Sequence, residues 1–133
     1  MDDPWFTEIP DELARCLTDA RNCADACEAL LTEVASAPDD EPRQRVVDAV
    51  IGPAAVSRVL TELVDQPRPL ALAAARLCHE TAQEAVGKLE RLDGRLELRP
   101  AITALRACAE SCENVLRAEQ RTRATGECGG APS

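Results

Sequence analysis

The sequence predicts an all-α fold, an antiparallel up-down-up-down four-helix bundle, on three observations. Among 133 residues there is one Trp, one Phe and no Tyr, and Ala, Leu, Val, Arg and Glu dominate. That composition favours helix and leaves a sheet without its usual formers. Apolar residues recur at steps of three and four along four segments of roughly 24 residues each, the spacing that lines one helix face. Short breaks rich in proline and acid separate the segments, and short connections make successive helices antiparallel neighbours.

The length suits one domain. Residues 1–10 read as an N-terminal arm with Trp5 and Phe6 as anchors, residues 11–120 as the bundle, and residues 121–133 as a flexible tail. Helix one starts at Pro10 or Asp11, because proline and acids suit a first turn. Its seam is Leu13, Cys16, Ala20, Cys23, Cys27, Leu30 and Val34, and it ends before Pro38. Helix two runs from Glu41 to Val64 on Val46, Val50, Val56, Leu60 and Leu63. Gly52-Pro53 lies inside it and predicts a kink or a break into two helices, since proline removes a hydrogen bond and crowds the preceding turn. Helix three runs from Pro69 to Leu92 with Leu70, Ala74, Leu77, Cys78, Thr81, Ala85, Leu89 and Leu92 on or near one face, and Gly94 is its stop signal. Helix four begins between Leu98 and Pro100 and passes through Ile102, Leu105, Cys108, Cys112 and Val115 to Gln120.

A repeated pattern singles out the thiols. Arg21-Asn-Cys23-Ala-Asp25-Ala-Cys27-Glu28 recurs as Arg106-Ala-Cys108-Ala-Glu110-Ser-Cys112-Glu113. A third copy, Arg76-Leu-Cys78-His79-Glu80-Thr-Ala82, has alanine at the second cysteine position. Side chains at i and i+4 share a helix face, and here that face is the apolar seam. In the expected topology helices one and four are antiparallel, so Cys23 and Cys27 face Cys108 and Cys112. Cys78 should stand between Cys16 and Cys23 in height, as a supplement to those two pairs. Helix two closes the cluster with aliphatic side chains. His79, rotated about 100° from Cys78, belongs at the margin of the cluster or in solvent. Cys128 lies in the tail, away from the other six.

Soft thiolates select Cu(I), zinc or iron–sulfur clusters. Structural zinc favours Cys-x₂₋₄-Cys on turns, and iron–sulfur clusters favour closer spacings. Two sulfurs on opposite sides of one ion lie roughly 4.5 Å apart. An i, i+4 pair, with Cβ atoms about 5–6 Å apart, can present that separation. Cu(I) therefore fits the spacing best, with zinc second. Two other readings stay open at this point. The dithiols Cys23/Cys27 and Cys108/Cys112 suit a redox switch. A helical interaction module would use the cysteines as filler, since a buried cysteine behaves as a small hydrophobe.

The formal net charge of -9 speaks against nucleic acid and against anionic membranes, which need clustered cations. No stretch approaches the roughly 18 apolar residues of a membrane span. Met1-Asp2-Asp3-Pro4-Trp5 lacks the apolar region of a secretion signal, so a cytoplasmic location is expected. Disulfides rarely persist there, which leaves seven cysteines to metal or redox chemistry. Catalysis is not expected: the sequence shows no nucleophile–histidine–acid set and no glycine-rich phosphate loop. The expected partners are metal ions, with self-association into a homo-oligomer compatible with the sequence.

Cys-x-x-x-Cys on successive helices, with an inward thiol seam in a chain of this size, resembles the bacterial four-helix-bundle copper-binding and copper storage proteins. The resemblance covers residues 11–120. It implies a bundle whose core thiolates bind cuprous ions for buffering, storage or homeostasis. Cys23, Cys27, Cys108 and Cys112 carry over on the motif, with Cys16 and Cys78 as further ligands.

Overall fold

The computed structural model describes residues 10–36, 41–63, 68–92 and 97–130. They form four helices and, among the described residues, no strand: α1 (Pro10–Ala35), α2 (Glu41–Glu62), α3 (Arg68–Glu90) and α4 (Arg99–Gly130). Each helix carries proline at its first or second position, namely Pro10, Pro42, Pro69 and Pro100. There the fixed φ suits the helix and the missing N–H would have no partner in any case. Asp11 and Glu12 add negative charge to the first turn of α1, which favours the helix dipole. Ahead of α4, Glu97 Oε1 accepts from the backbone N–H of Arg99 at 2.9 Å, satisfying one donor that the helix itself leaves open. The Trp5-Phe6 arm and the last three residues lie outside the described residues.

The helices close into a ring. α1 packs against α2 and α4, and α3 packs against the same two neighbours. Cys16 meets Cys112, and further along α1 Cys23 meets Cys108. Ascending one helix therefore descends the other, the order expected of antiparallel neighbours. Among the described residues no helix is long and apolar enough to cross a membrane.

Every seam residue anticipated on α1 is buried, from Leu13 through Cys16, Ala20, Cys23, Cys27 and Leu30 to Val34. The other helices correct the expected pattern in detail. α2 is not divided at Gly52-Pro53: it runs as one helix with a buried Pro53 inside it. An internal proline costs about 3 kcal/mol. Burying Val46, Ala49, Val50, Ala54 and Leu60 on the same helix outweighs that cost, at about 1.5–3 kcal/mol for each large side chain. On α3, Leu70 and Leu77 are 48% and 49% exposed, and the core face is Ala71, Ala74, Ala75, Cys78, Ala82, Ala85 and Leu89. The larger apolar residues were expected inside, but it is the small ones that let helix backbones approach. α4 continues to Gly130, well past Gln120 where its end was expected. Arg121, Arg123 and Ala124 sustain helix propensity, against about 1 kcal/mol for a glycine in a helix interior such as Gly126, while Gly129 and Gly130 fall at the helix end.

Aliphatic layers flank the thiols on both sides along the bundle axis. Leu13, Leu60, Ala71 and Val115 are buried toward the start of α1. Leu30, Val34, Val46, Leu89, Leu98 and Leu105 are buried toward its end.

Candidate metal centre

Six cysteines converge between the aliphatic layers. Cys16, Cys23, Cys27, Cys78, Cys108 and Cys112 are all fully buried and all reduced. α1 supplies three because its steps of three and four keep Cys16, Cys23 and Cys27 on one inward stripe. α4 supplies Cys108 and Cys112 one turn apart, and α3 supplies Cys78. Ala82 takes the inward position where the repeat would place a second α3 cysteine, and it is fully buried.

Three sulfurs form the tightest group. The Sγ atoms of Cys78, Cys108 and Cys112 all lie within 4.8 Å of one another, with Cys78 and Cys108 at 3.4 Å. Three thiolates sharing one ion at about 2.3 Å would stand roughly 4 Å apart in a plane. The trio needs only small rotations to reach that spacing. The remaining thiols extend it. Cys16 Sγ is 3.6 Å from Cys112 Sγ, while Cys23 interacts with Cys108 and Cys27 with Cys23.

The single contiguous cluster drawn from three helices matches the sequence expectation, but its internal arrangement differs. Cys112 lies against Cys16, its partner across the α1–α4 seam. Cys78, expected as a supplement, is one of the three sulfurs of the trio. His79 is half-buried beside the cluster, with its Nδ1 2.9 Å from the Ala109 carbonyl oxygen. That contact makes Nδ1 the protonated nitrogen, since a carbonyl only accepts.

Sequence reasoning missed Ser57. It was expected that α2 would close the cluster with aliphatic groups alone, yet Ser57 is fully buried and faces the thiols. Its hydroxyl donates to Cys23 Sγ at 3.3 Å and stands 3.5 Å from Cys78 Sγ. It thus joins the α1 and α3 thiols through α2. The available signal was its position: Ser57 lies three residues from both Ala54 and Leu60, on the buried stripe of α2. Ser57→Ala should leave the apo bundle folded with a loss of about 1 kcal/mol, read by chemical denaturation. It should weaken metal affinity by about tenfold, the scale expected of an outer-shell partner. An unchanged affinity would reduce Ser57 to a packing residue.

The cluster divides its protons unevenly. Hydrogen bonds from Cys108 and Cys112, aided by Ser57 and against the cost of burial, hold the Cys78 thiol well below the ordinary range. Bonds from Cys108 and Cys27 do the same for Cys23. The donors move the other way. Cys112 is pushed up by its bonds to Cys108, Cys16 and Cys78 and by burial, and Cys27 by its bond to Cys23 and by burial. Cys108 gains a bond from Cys112 that lowers it, but its own bonds to Cys23 and Cys78, with burial, raise it more. Two sulfurs thus favour the thiolate form, and three remain thiols that donate to them.

Fold and site together define a class: an all-α bundle whose core holds a cysteine group able to take a soft metal ion. Comparison with known families gives the particular membership. The family model described as copper storage protein matches residues 9–123, and the chain belongs to that family. No curated protein and no solved structure matches the chain.

Proposed function

We infer that the chain binds cuprous ions through core thiolates and holds them for copper buffering or storage in the reducing cytoplasm. The observation that carries this reading is the Cys78, Cys108 and Cys112 group, three buried sulfurs at ligand spacing on two packed helices. Cys16, Cys23 and Cys27 extend the site along α1, and His79 stands at its margin. Thiolate is soft, as is Cu(I), and burial of all six sulfurs would shield the ion from oxidation and exchange. Nothing in this role requires turnover.

The test is a competition titration against a Cu(I) chelator under reducing conditions, repeated across pH. An ion entering the trio displaces the protons of Cys108 and Cys112, whose thiols are raised, while Cys78 already favours thiolate. Protons therefore compete with copper, and apparent affinity falls as pH drops, by about a hundredfold per unit for two displaced protons. Zinc should bind more weakly. Failure to draw any copper from the chelator would end this reading.

A further inference from the structure

An ion bound for the core must cross a helix seam or an aliphatic layer. Along the axis, Leu13, Leu60 and Val115 close one side, and Val34, Val46 and Leu89 close the other. These layers present no ligand atom to a thiolate-bound metal. The seams differ among themselves. Over Cys23 and Cys27, Arg58 reaches from α2 to Asp25 at 3.2 Å and Glu28 at 2.8 Å. Over Cys78, His79 is bonded across to α4. The cleft between α3 and α4 is lined by Gln83, Gly87 and Glu90 of α3 and by Ala109, Glu110 and Glu113 of α4. Its α4 wall adjoins Cys108 and Cys112, but its α3 wall starts five residues beyond Cys78, about 7.5 Å along the helix.

The α1–α4 seam is built differently. Two adjoining clefts of about 380 and 290 Å³ share Arg15, Ser111 and Asn114 as lining. Arg15 and Ser111 immediately precede Cys16 and Cys112, the pair whose sulfurs are 3.6 Å apart. Beside that sulfur contact a second side-chain bond spans the seam: the buried Ser111 hydroxyl donates to Asp19 Oδ2. The larger cleft also gathers Arg121 and Arg117, the latter paired with Glu113, so three arginines stand there with Asp11 and Glu12, while the smaller cleft adds Asp19 and Glu110. On a chain of net charge -9 the larger cleft is a place where cationic side chains gather.

We propose that the α1–α4 seam is the port through which copper enters, with Ser111–Asp19 as its latch and Cys16 and Cys112 as the receiving pair. The donor that fits is an anionic complex of Cu(I) with a low-molecular-mass thiol. Its carboxylates or thiolates meet the arginines in the cleft. Transfer is ligand exchange: Cys16 and Cys112 bind as they release their protons, and the departing carrier thiolates take those protons up. Cu(I) stays Cu(I) throughout. Cys112 belongs both to the receiving pair and to the inner trio, so the ion moves inward by exchanging Cys16 for Cys108 and Cys78.

This proposal rests on the copper-binding reading above, and rate separates the two. Cu(I) held by excess glutathione is mixed with apo-protein, and loading is followed in time and then to equilibrium. Ser111→Ala removes the latch without adding bulk. It should speed loading about fivefold or more, the factor for losing one hydrogen bond, with capacity unchanged. Asn114→Trp should cover the cleft and slow loading. Gly87→Trp, where an added Cβ meets nothing within 4 Å, fills the α3–α4 cleft instead and should leave the rate alone. A readout free of copper accompanies these. Methyl methanethiosulfonate should label Cys16 and Cys112 before Cys23 and Cys27, and Ser111→Ala should accelerate only the first pair. The port is refuted if Ser111→Ala changes neither rate, if Gly87→Trp slows loading as much as Asn114→Trp, or if Cys23 and Cys27 label first. Normal capacity with any of these results leaves copper binding standing, while loss of capacity in the unaltered protein overturns both.

Discussion

Replacing Cys78, Cys108 and Cys112 together with alanine should lower Cu(I) affinity by more than about a hundredfold, beyond the loss typical of an outer-shell partner alone. These three sulfurs are the group already at ligand spacing. Alanine is the better replacement than serine, because it adds no buried hydroxyl that would need a partner. The variant should remain helical, since the flanking aliphatic layers are untouched. Single replacements rank the ligands. Cys78→Ala removes the sulfur that three neighbours surround, namely Cys108, Cys112 and Ser57. Cys27→Ala removes one whose bond is to Cys23. A chelator titration in which Cys27→Ala costs as much as Cys78→Ala would place the principal site on α1 rather than between α3 and α4.

Leu105→Ala should be the most damaging single change to the apo-protein. Leu105 is completely buried one turn from Cys108, at the junction of the thiol cluster and an aliphatic layer. Truncating a core leucine costs about 2–5 kcal/mol through lost transfer energy and the cavity left behind. For a domain of this size that should lower Tm by roughly 10 °C, measured by circular dichroism. Copper should restore much of the loss, because an ion bound only by the folded state stabilises it by mass action. A Tm within about 2 °C of the parent in the apo state would mean that the cavity collapses without penalty.

The fold was legible because few aromatic residues and four seams of steps three and four leave little but a bundle. α1 was read residue by residue, since its inward positions, Ala20 apart, are cysteine or large aliphatics. α3 was harder. Its core face is mostly alanine, which carries almost no hydrophobic signal, so Leu70 and Leu77 attracted the assignment although they face outward. Helix two was expected to kink or break at Gly52-Pro53, and it is not broken there. A proline penalty is local, however, and the burial opposing it is spread over the whole helix. Within the site, five inward thiols followed from the repeat and Cys16 from the seam spacing, but their pairing did not. Cys16 and Cys27 lie about three turns apart on α1, so the register between α1 and α4 decides which of them Cys112 meets, and periodicity does not determine that register. Ser57 escaped notice because a lone serine inside a helix is ordinarily a surface residue.

Ala82 points to how such a protein acquires or sheds capacity over evolutionary time. It sits fully buried, one turn from Cys78 and in the place that cysteine holds in the two complete copies of the repeat. Alanine and cysteine differ by a single sulfur, and enlarging a packed core by that much costs on the order of 1–3 kcal/mol, which a bundle with intact aliphatic layers tolerates. Ala75 and Ala85 are buried on the same α3 stripe. The number of ligands can therefore drift upward or downward one codon at a time while the architecture stays constant. A chain with few inward thiols and a chain with many would then be neighbours on a single mutational path, without the fold having to be rebuilt.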